Sequence, residues 1–177
     1  MTTLGERVKT EREAKGWSQA ELARRVTRAG YSITHGGIAQ IERLDWMQDA
    51  RARIAGLYQQ RMAGIEGVTP MYEGPQRRSW FVYAPRLDAD LDRDRIIGRL
   101  EAEGVSAKPY LPCIHLQPVY RERFGFREGD FPHAEAASRS TLALPFHANM
   151  PADQVSHVAE SLCAIVARSR GTASTAS

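Results

Sequence analysis

Cysteine, lysine and long hydrophobic runs are all scarce in this sequence. The two cysteines, Cys113 and Cys163, lie far apart, and no CxxC spacing or His/Cys cluster accompanies them, so neither a zinc site nor a disulfide framework is predicted. No apolar run is long enough to cross a bilayer, and the first residues are charged where a signal peptide needs an apolar stretch. We therefore expect a globular protein of the cytoplasm, with no metal site and no membrane partner.

Acidic residues are outnumbered only near the N-terminus. Residues 1–43 hold eight Lys or Arg against five Asp or Glu, whereas the rest of the chain is balanced. A basic end on a neutral body is typical of a nucleic-acid-binding appendage, but so small an excess is also common on ordinary surfaces. Charge alone leaves both interpretations open.

Local patterns predict three helices in this first segment. Leu4, Val8 and the stem of Arg12 share one helical face, and Gly16 then ends the first helix. Ser18 begins an S-x-x-E capping box ahead of the second helix, and Thr34 can cap the third. The first two helices are predicted over 3–15 and 19–27.

The strings RVKTEREAKGWSQAELARRV and ITHGGIAQIER resemble the helix-turn-helix of the XRE or Cro/repressor family. The resemblance implies that the third helix enters the major groove of DNA, and that Arg12 and Glu42 form a structural pair. The DNA-facing residues it implies are Gln19, Thr34, His35, Gly36, Gly37 and Gln40. The family's fourth and fifth helices have no visible counterpart after residue 43, so the module 1–43 is predicted to be incomplete. The alternative is a three-helix packing unit without DNA activity.

The rest of the chain predicts alternating helices and strands. Leu44, Met47, Ile54 and Leu57 recur at helical spacing, which favours one long helix over 38–63. Strands are predicted over 79–87 and 105–111, helices over 93–103 and 152–167, and a disordered tail over 169–177. In the helix 93–103, Ile96, Ile97 and Leu100 share one face.

A second resemblance covers about residues 37–168. GIAQIERLDWMQDARARIAGLYQQRMAGIEGV, RRSWFVYAPRL, KPYLPCIHLQPVYRERFGFREGDFPHAEAASRSTLALPF and MPADQVSHVAESLCAIV resemble, in the same order, the C-terminal part of DegT/StrS-type sugar aminotransferases. The resemblance implies an α/β (α+β) fold: the small C-terminal domain of a fold-type I pyridoxal-phosphate aminotransferase, behind an all-α helix-turn-helix segment.

The chemistry implied by this resemblance is transfer of an amino group to a ketone on a nucleotide-linked sugar. It uses a lysine that forms a Schiff base with pyridoxal phosphate. The chain has only Lys9, Lys15 and Lys108, and none of them matches that lysine. In the family, the large domain that bears it would precede the long helix. We therefore expect a truncated or fused gene product that neither binds the cofactor nor transaminates alone, and no catalytic residue is assigned.

The small domain's share of a substrate site is implied to lie around Tyr110, His115 and Gln117. By the resemblance, this loop faces the cleft between domains and contacts the sugar nucleotide or a neighbouring subunit. A lone histidine in such a loop is also typical of a structural hydrogen-bonder, so both roles stay open for His115.

Nearby polar residues have competing interpretations. Tyr120, Arg121 and Arg123 are candidates for holding phosphate, although a charged YRERF turn is usually a solvated helix face. Asp130 and Glu135 are predicted to be a cap and a surface residue rather than an acid/base pair.

Two further hypotheses follow. One is a transcriptional regulator that binds operator DNA as a homodimer, with the aminotransferase-like part sensing or dimerising. The other is association with a separate large-domain polypeptide that rebuilds an enzyme.

Overall fold

The computed structural model describes residues 3–71, 74 and 78–174. Its seven helices within these ranges are α1 Leu4–Ala14, α2 Gln19–Arg28, α3 His35–Met62, α4 Arg93–Ala102, α5 Pro118–Phe124, α6 Pro132–Ser140 and α7 Ala152–Ser174. The strands are β1 Val68–Thr69, β2 Arg86–Leu87, β3 Lys108–Pro109 and β4 Leu142–Ala143. The chain divides into two compact units, Met1–Arg51 and Ala52–Ser177, called here the N-terminal and the C-terminal unit.

The N-terminal unit contains α1, α2 and the first part of α3. Thr34 Oγ1 accepts the Gly37 amide at 3.2 Å, as expected for the cap of α3. Ser18 Oγ accepts the Glu21 amide, but the predicted capping box is only half formed, because the Glu21 carboxylate pairs with arginines of its own helix instead. A complete box forms one helix earlier, at Thr3 and Glu6. The sequence therefore predicted where this helix begins, but not which partner the Glu21 side chain would bind.

In the first turn of α1, the residue that packs inward is not the predicted one. Leu4 is exposed, and Gly5 is the buried residue of the helix. A Cβ atom on Gly5 would lie 2.7 Å from the Ile41 carbonyl oxygen and 2.6 Å from Asp45 Oδ2, and the Gly5 amide donates to that carboxylate at 3.0 Å. The absence of a side chain thus lets α1 approach the backbone of α3 directly.

The core of the C-terminal unit lies between helices and a small antiparallel ribbon. β1 pairs with β2 and β3 pairs with β4, and isolated bridges join Tyr83 to Leu144 and Arg86 to Thr141. Fully buried side chains from α3, β2, α4, β4 and α7 meet there: Ile54, Tyr58, Met62, Leu87, Ile96, Leu100, Leu142, Leu162, Ile165 and Val166. The predicted face of α4 is therefore the one that packs inward, since Ile96, Ile97 and Leu100 are its buried residues.

The predicted strands are much shorter than expected. Within 79–87, only Arg86–Leu87 and the bridge at Tyr83 pair as strand. Trp80 and Tyr83 are buried in an aromatic cluster, whereas Phe81 is 74% exposed. The Tyr58 and Tyr83 rings stack at 4.8 Å between centroids, and Trp80 lies 6.0 Å from Tyr83. Aromatic side chains that indicate a strand by composition here fill a core instead.

The predicted disordered tail is wrong for residues 169–174, which continue α7. Arg170 explains part of the extension, because its guanidinium contacts Glu66 at 2.7 Å and Asp88 at 2.5 Å. Residues 175–177 lie outside the described ranges. Among the described helices, none is long and apolar enough to cross a membrane.

Candidate functional site

Between β3 and β4 the chain leaves the ribbon and builds a groove of about 600 Å³. Apolar and aromatic side chains line most of it, and Tyr110, His115 and Ser138 are among the polar ones. The lining also includes Leu111, Pro112, Cys113, Ile114, Tyr120, Phe126, Phe131, Ala134, Ala137 and Thr141. A concave, mainly apolar surface with a few polar groups is the usual form of a small-molecule site.

The floor of the groove has a constrained backbone. Leu111 has a φ of 46°, in the left-handed region that a branched residue seldom adopts. Ser138 Oγ donates to the Leu111 carbonyl at 3.1 Å, and the Tyr110 amide donates to the Thr141 carbonyl at 3.4 Å. Arg93 donates to the carbonyls of Ser138 and Thr141. These contacts tie the groove to the end of α6 and to α4.

His115 and Glu135 form a buried pair at the groove. His115 Nε2 lies 3.0 Å from Glu135 Oε1, and the residues are 8% and 3% exposed. The same oxygen accepts the backbone amides of Gly129 at 2.8 Å and Phe131 at 3.4 Å. One carboxylate oxygen therefore connects the turn before α6, the start of α6 and the short 3-10 helix that carries His115.

The pKa of Glu135 lies below its ordinary value. Burial alone would raise this pKa, because it disfavours the charged form, but the hydrogen bonds from Gly129, His115 and Phe131 outweigh burial. Glu135 is therefore a carboxylate at neutral pH.

Aromatic rings pack against one side of the His115 imidazole. The Phe131 ring lies 4.8 Å from His115 between centroids, and Phe126 meets Phe131 edge-on at 5.5 Å. Phe124 and Tyr120 extend this set of rings along α5. Of these rings, Tyr120, Phe126 and Phe131 line the groove beside His115.

Of the three residues expected in the substrate site, the structure brings Tyr110 and His115 into the same groove. Gln117 lies instead beside a smaller depression of about 270 Å³ that Glu135 also lines. Tyr120 borders the groove, whereas Arg121 and Arg123 lie on α5, which has no buried residue. Asp130 was predicted to be a cap, but the N-cap of α6 is Phe131; the Asp130 carboxylate instead accepts the Arg127 amide at 2.8 Å and closes the turn before it.

Glu135 is the site residue that sequence reasoning missed, since the prediction of a surface position is wrong. Its hydrogen-bond partners are the side chain of His115, 20 residues earlier in the chain, and the backbone amides of Gly129 and Phe131. Such partners do not produce a helical or strand period in the sequence. One signal was present: helix α6 starts at Pro132 without a Ser, Thr, Asp or Asn cap, and a glutamate in its first turn is the residue able to reach back to the free amides.

In the N-terminal unit, the Arg12–Glu42 pair implied by the first resemblance is present. Arg12 Nε donates to Glu42 Oε1 at 2.6 Å, with side chains 12% and 6% exposed. Gln19 was expected at DNA, but its amide donates to Glu42 Oε2 at 2.8 Å. The hydrogen bonds from Arg12, and next that from Gln19, hold the pKa of Glu42 below its ordinary value despite burial.

The other residues implied to face DNA lie at the start of α3. His35, Gly36 and Gln40 are exposed, as is the capping Thr34, and Gly37 is half-buried against Ile33. The connection from α2 to α3 takes six residues, 29–34.

None of the three lysines is among the residues that line the groove. Lys108 is on β3 with its ammonium 2.5 Å from Glu101 Oε1, and its side chain is 69% exposed. Lys9 and Lys15 belong to the N-terminal unit, where both are exposed. Over the part of the chain that the structure describes, no group of three His, Cys, Asp or Glu side chains is placed to hold a metal ion.

The DegT/DnrJ/EryC1/StrS aminotransferase family matches residues 35–163. The chain belongs to this family. It is 35% identical over 135 residues to the spore coat polysaccharide biosynthesis protein SpsC of Bacillus subtilis, covering 73% of the chain and 35% of that protein. It is 32% identical over 130 residues to GDP-perosamine synthase of Caulobacter vibrioides, covering 71% and 34%.

Solved structures of the family have the same fold. The aminotransferase TlmJ of Streptoalloteichus hindustanus is 29% identical, with a TM-score of 0.67 over 76% of this chain and 36% of that one. The predicted fold class is confirmed, since such neighbours are fold-type I pyridoxal-phosphate aminotransferases. The chain spans about a third of the length of the curated relatives it matches.

The family match contains the whole groove but excludes α1 and α2. Members of the family use pyridoxal phosphate, and the groove residues do not fit that cofactor. No lysine is among them, and the carboxylate of Glu135 is already engaged with His115 and two amides. The helix-turn-helix resemblance of the first segment stays a prediction.

Proposed function

We propose that the C-terminal unit supplies the small-domain share of a sugar-aminotransferase substrate site, and that its groove takes the sugar of a nucleotide-linked substrate. The observation that carries this proposal is the buried His115–Glu135 pair, whose histidine lines a mainly apolar groove together with Tyr110. Sugars combine apolar ring faces with hydroxyls, which suits aromatic walls and a few fixed polar groups. The names of relatives support the class of substrate, since one is a GDP-perosamine synthase.

The same proposal holds that this 177-residue polypeptide does not transaminate by itself. Schiff-base chemistry needs an amine held close to the reacting carbonyl, and usually one whose environment activates it. Lys108 is exposed and its ammonium contacts Glu101, and it does not line the groove, so it is not held close to a reacting carbonyl there. Turnover would require a lysine from another polypeptide or segment, such as a separate large domain.

Cofactor titration of the purified chain tests this proposal. We expect no stoichiometric adduct after pyridoxal phosphate addition and borohydride trapping, as read by absorbance and by mass spectrometry of peptides. Lys108→Ala is the matched variant and should behave like the wild-type chain. A stoichiometric adduct on Lys108 that this variant abolishes would overturn the proposal.

A second candidate function is DNA binding by the N-terminal unit, and the arrangement at α3 favours it. The exposed His35, Gly36 and Gln40 lie on one end of α3, and Arg28 borders the same depression as His35. Arginines flanking the start of such a helix are suited to phosphate contacts, which position a protein on duplex DNA. Binding as a homodimer would multiply these weak contacts.

Fluorescence anisotropy with a random-sequence duplex tests this candidate. Binding should appear at low ionic strength and weaken steeply as salt rises, because phosphate contacts release counterions. Arg28→Gln should weaken binding, whereas Arg95→Gln, which removes an exposed arginine from α4, should not. Equal binding by both variants, or none by the wild-type chain at low salt, would contradict it.

A further inference from the structure

Glu135 organises the groove through a single oxygen atom. Its Oε1 accepts from Gly129, from Phe131 and from His115, which belong to three successive pieces of the excursion between β3 and β4. All three contacts lie 3.4 Å or less from the acceptor. A carboxylate oxygen carries only lone pairs, so every one of these partners must be a donor.

That requirement decides the protonation pattern of the histidine. Since the Glu135 carboxylate accepts, His115 Nε2 carries a proton directed at it. In the neutral imidazole the other nitrogen, Nδ1, then has a free lone pair and accepts hydrogen bonds. Because Nε2 is taken, a ligand in the groove that bonds to this ring has to use Nδ1.

The charged groups around the pair are few. Arg139 Nη1 lies 3.7 Å from the other oxygen of Glu135, and the same arginine contacts Glu128 on the surface at 3.3 Å. The His115 ring itself packs against Phe131 and Phe126, which have no titratable group. Among the described residues, Glu135 is therefore the one charged partner within hydrogen-bond reach of the imidazole.

We infer that Glu135 is a positioning residue that holds His115 as the Nε2-protonated tautomer and presents Nδ1 as an acceptor for a ligand hydroxyl. The ligand part of this inference rests on the proposed function. It deepens that function by selecting what the histidine recognises: a donating hydroxyl of the sugar, rather than a phosphate or carbonyl oxygen, which could only accept.

Long-range ¹H–¹⁵N NMR of the full chain, at a pH where His115 is neutral, tests the tautomer without any ligand. We expect a single Nε2-protonated form with a slowly exchanging Nε2 proton. Glu135→Ala should lose the slow exchange and show averaging between tautomers, whereas Glu128→Gln should change neither. Glu135→Gln, which keeps an accepting oxygen and so preserves the local fold, should retain the tautomer.

An Nδ1-protonated or mixed form in the wild-type chain would overturn the inference, as would an unchanged signal in Glu135→Ala. Titration with UDP-glucose and with UDP then separates the ligand part. UDP-glucose should shift the Nδ1 resonance and UDP should not. Binding of UDP-glucose without that shift would overturn the hydroxyl contact, while no binding would count against the proposed function and leave the tautomer result standing.

Discussion

At the scale of single residues, both units bury a glutamate whose charge is kept by several donors. Glu42 accepts from Arg12 and Gln19, and Glu135 accepts from His115 and two backbone amides. Taking a carboxylate out of water is costly unless its lone pairs are filled. Each glutamate therefore stabilises its surroundings only while the whole set of donors remains in place.

Glu42→Ala should strongly destabilise the N-terminal unit, because it leaves the nearly buried Arg12 guanidinium without its main partner. Removing one partner of a buried ion pair is destabilising because the other charge is left without compensation. Glu13→Ala is the matched control, since Glu13 also contacts Arg12 but is 54% exposed; its effect should stay within about 1 kcal/mol. Hydrogen exchange of α1 and α2 amides measures both, and equal protection in the two variants would contradict the prediction.

At the scale of elements, close approach decides how α1 packs. Gly5 lies against the α3 backbone, where no side chain fits. Helix propensity favours alanine over glycine by about 1 kcal/mol, so packing and propensity oppose each other at this position. The short contacts to backbone atoms indicate that packing dominates.

Gly5→Ala should therefore lower the free energy of unfolding of the N-terminal unit even though alanine is the better helix former. Gly98→Ala in α4 is the matched control, because a Cβ there meets nothing within 4 Å. That control should stabilise the protein by about 0.5–1 kcal/mol. Urea denaturation measures the two changes, and a stabilising Gly5→Ala would mean that α1 can shift at little cost.

At the scale of the whole molecule, acid should weaken both units. Glu42 and Glu135 have pKa values below the ordinary 4.5 in the folded chain. A carboxylate with a depressed folded pKa contributes stability that is fully present above its unfolded pKa and is lost as pH falls through the folded value. The loss should therefore begin below about pH 4.5, as judged by unfolding free energies measured from pH 7 downward. Glu135→Gln should flatten this pH dependence for the C-terminal unit; an unchanged slope would contradict the assignment.

How far the sequence predicts this protein depends on the range of the interactions concerned. Helix starts at Ser18 and Thr34, the inward face of α4 and the order of family motifs were all readable, because caps and helical periods act over three or four residues. The Arg12–Glu42 pair was predicted by resemblance alone. The strand predicted over 79–87 is mostly absent, and its Tyr83 instead stacks on Tyr58 from another element.

The sequence by itself determined membership of the aminotransferase family. It also holds only three lysines, and the proposal that the chain does not transaminate alone rests on that count. Only the tertiary structure decided that Gly5 rather than Leu4 packs inward, that Arg170 extends the last helix, and that Glu135 is buried against His115. The physical reason is the same in each case. These residues are defined by partners distant along the chain or by backbone groups, and such contacts leave no periodic trace in the sequence.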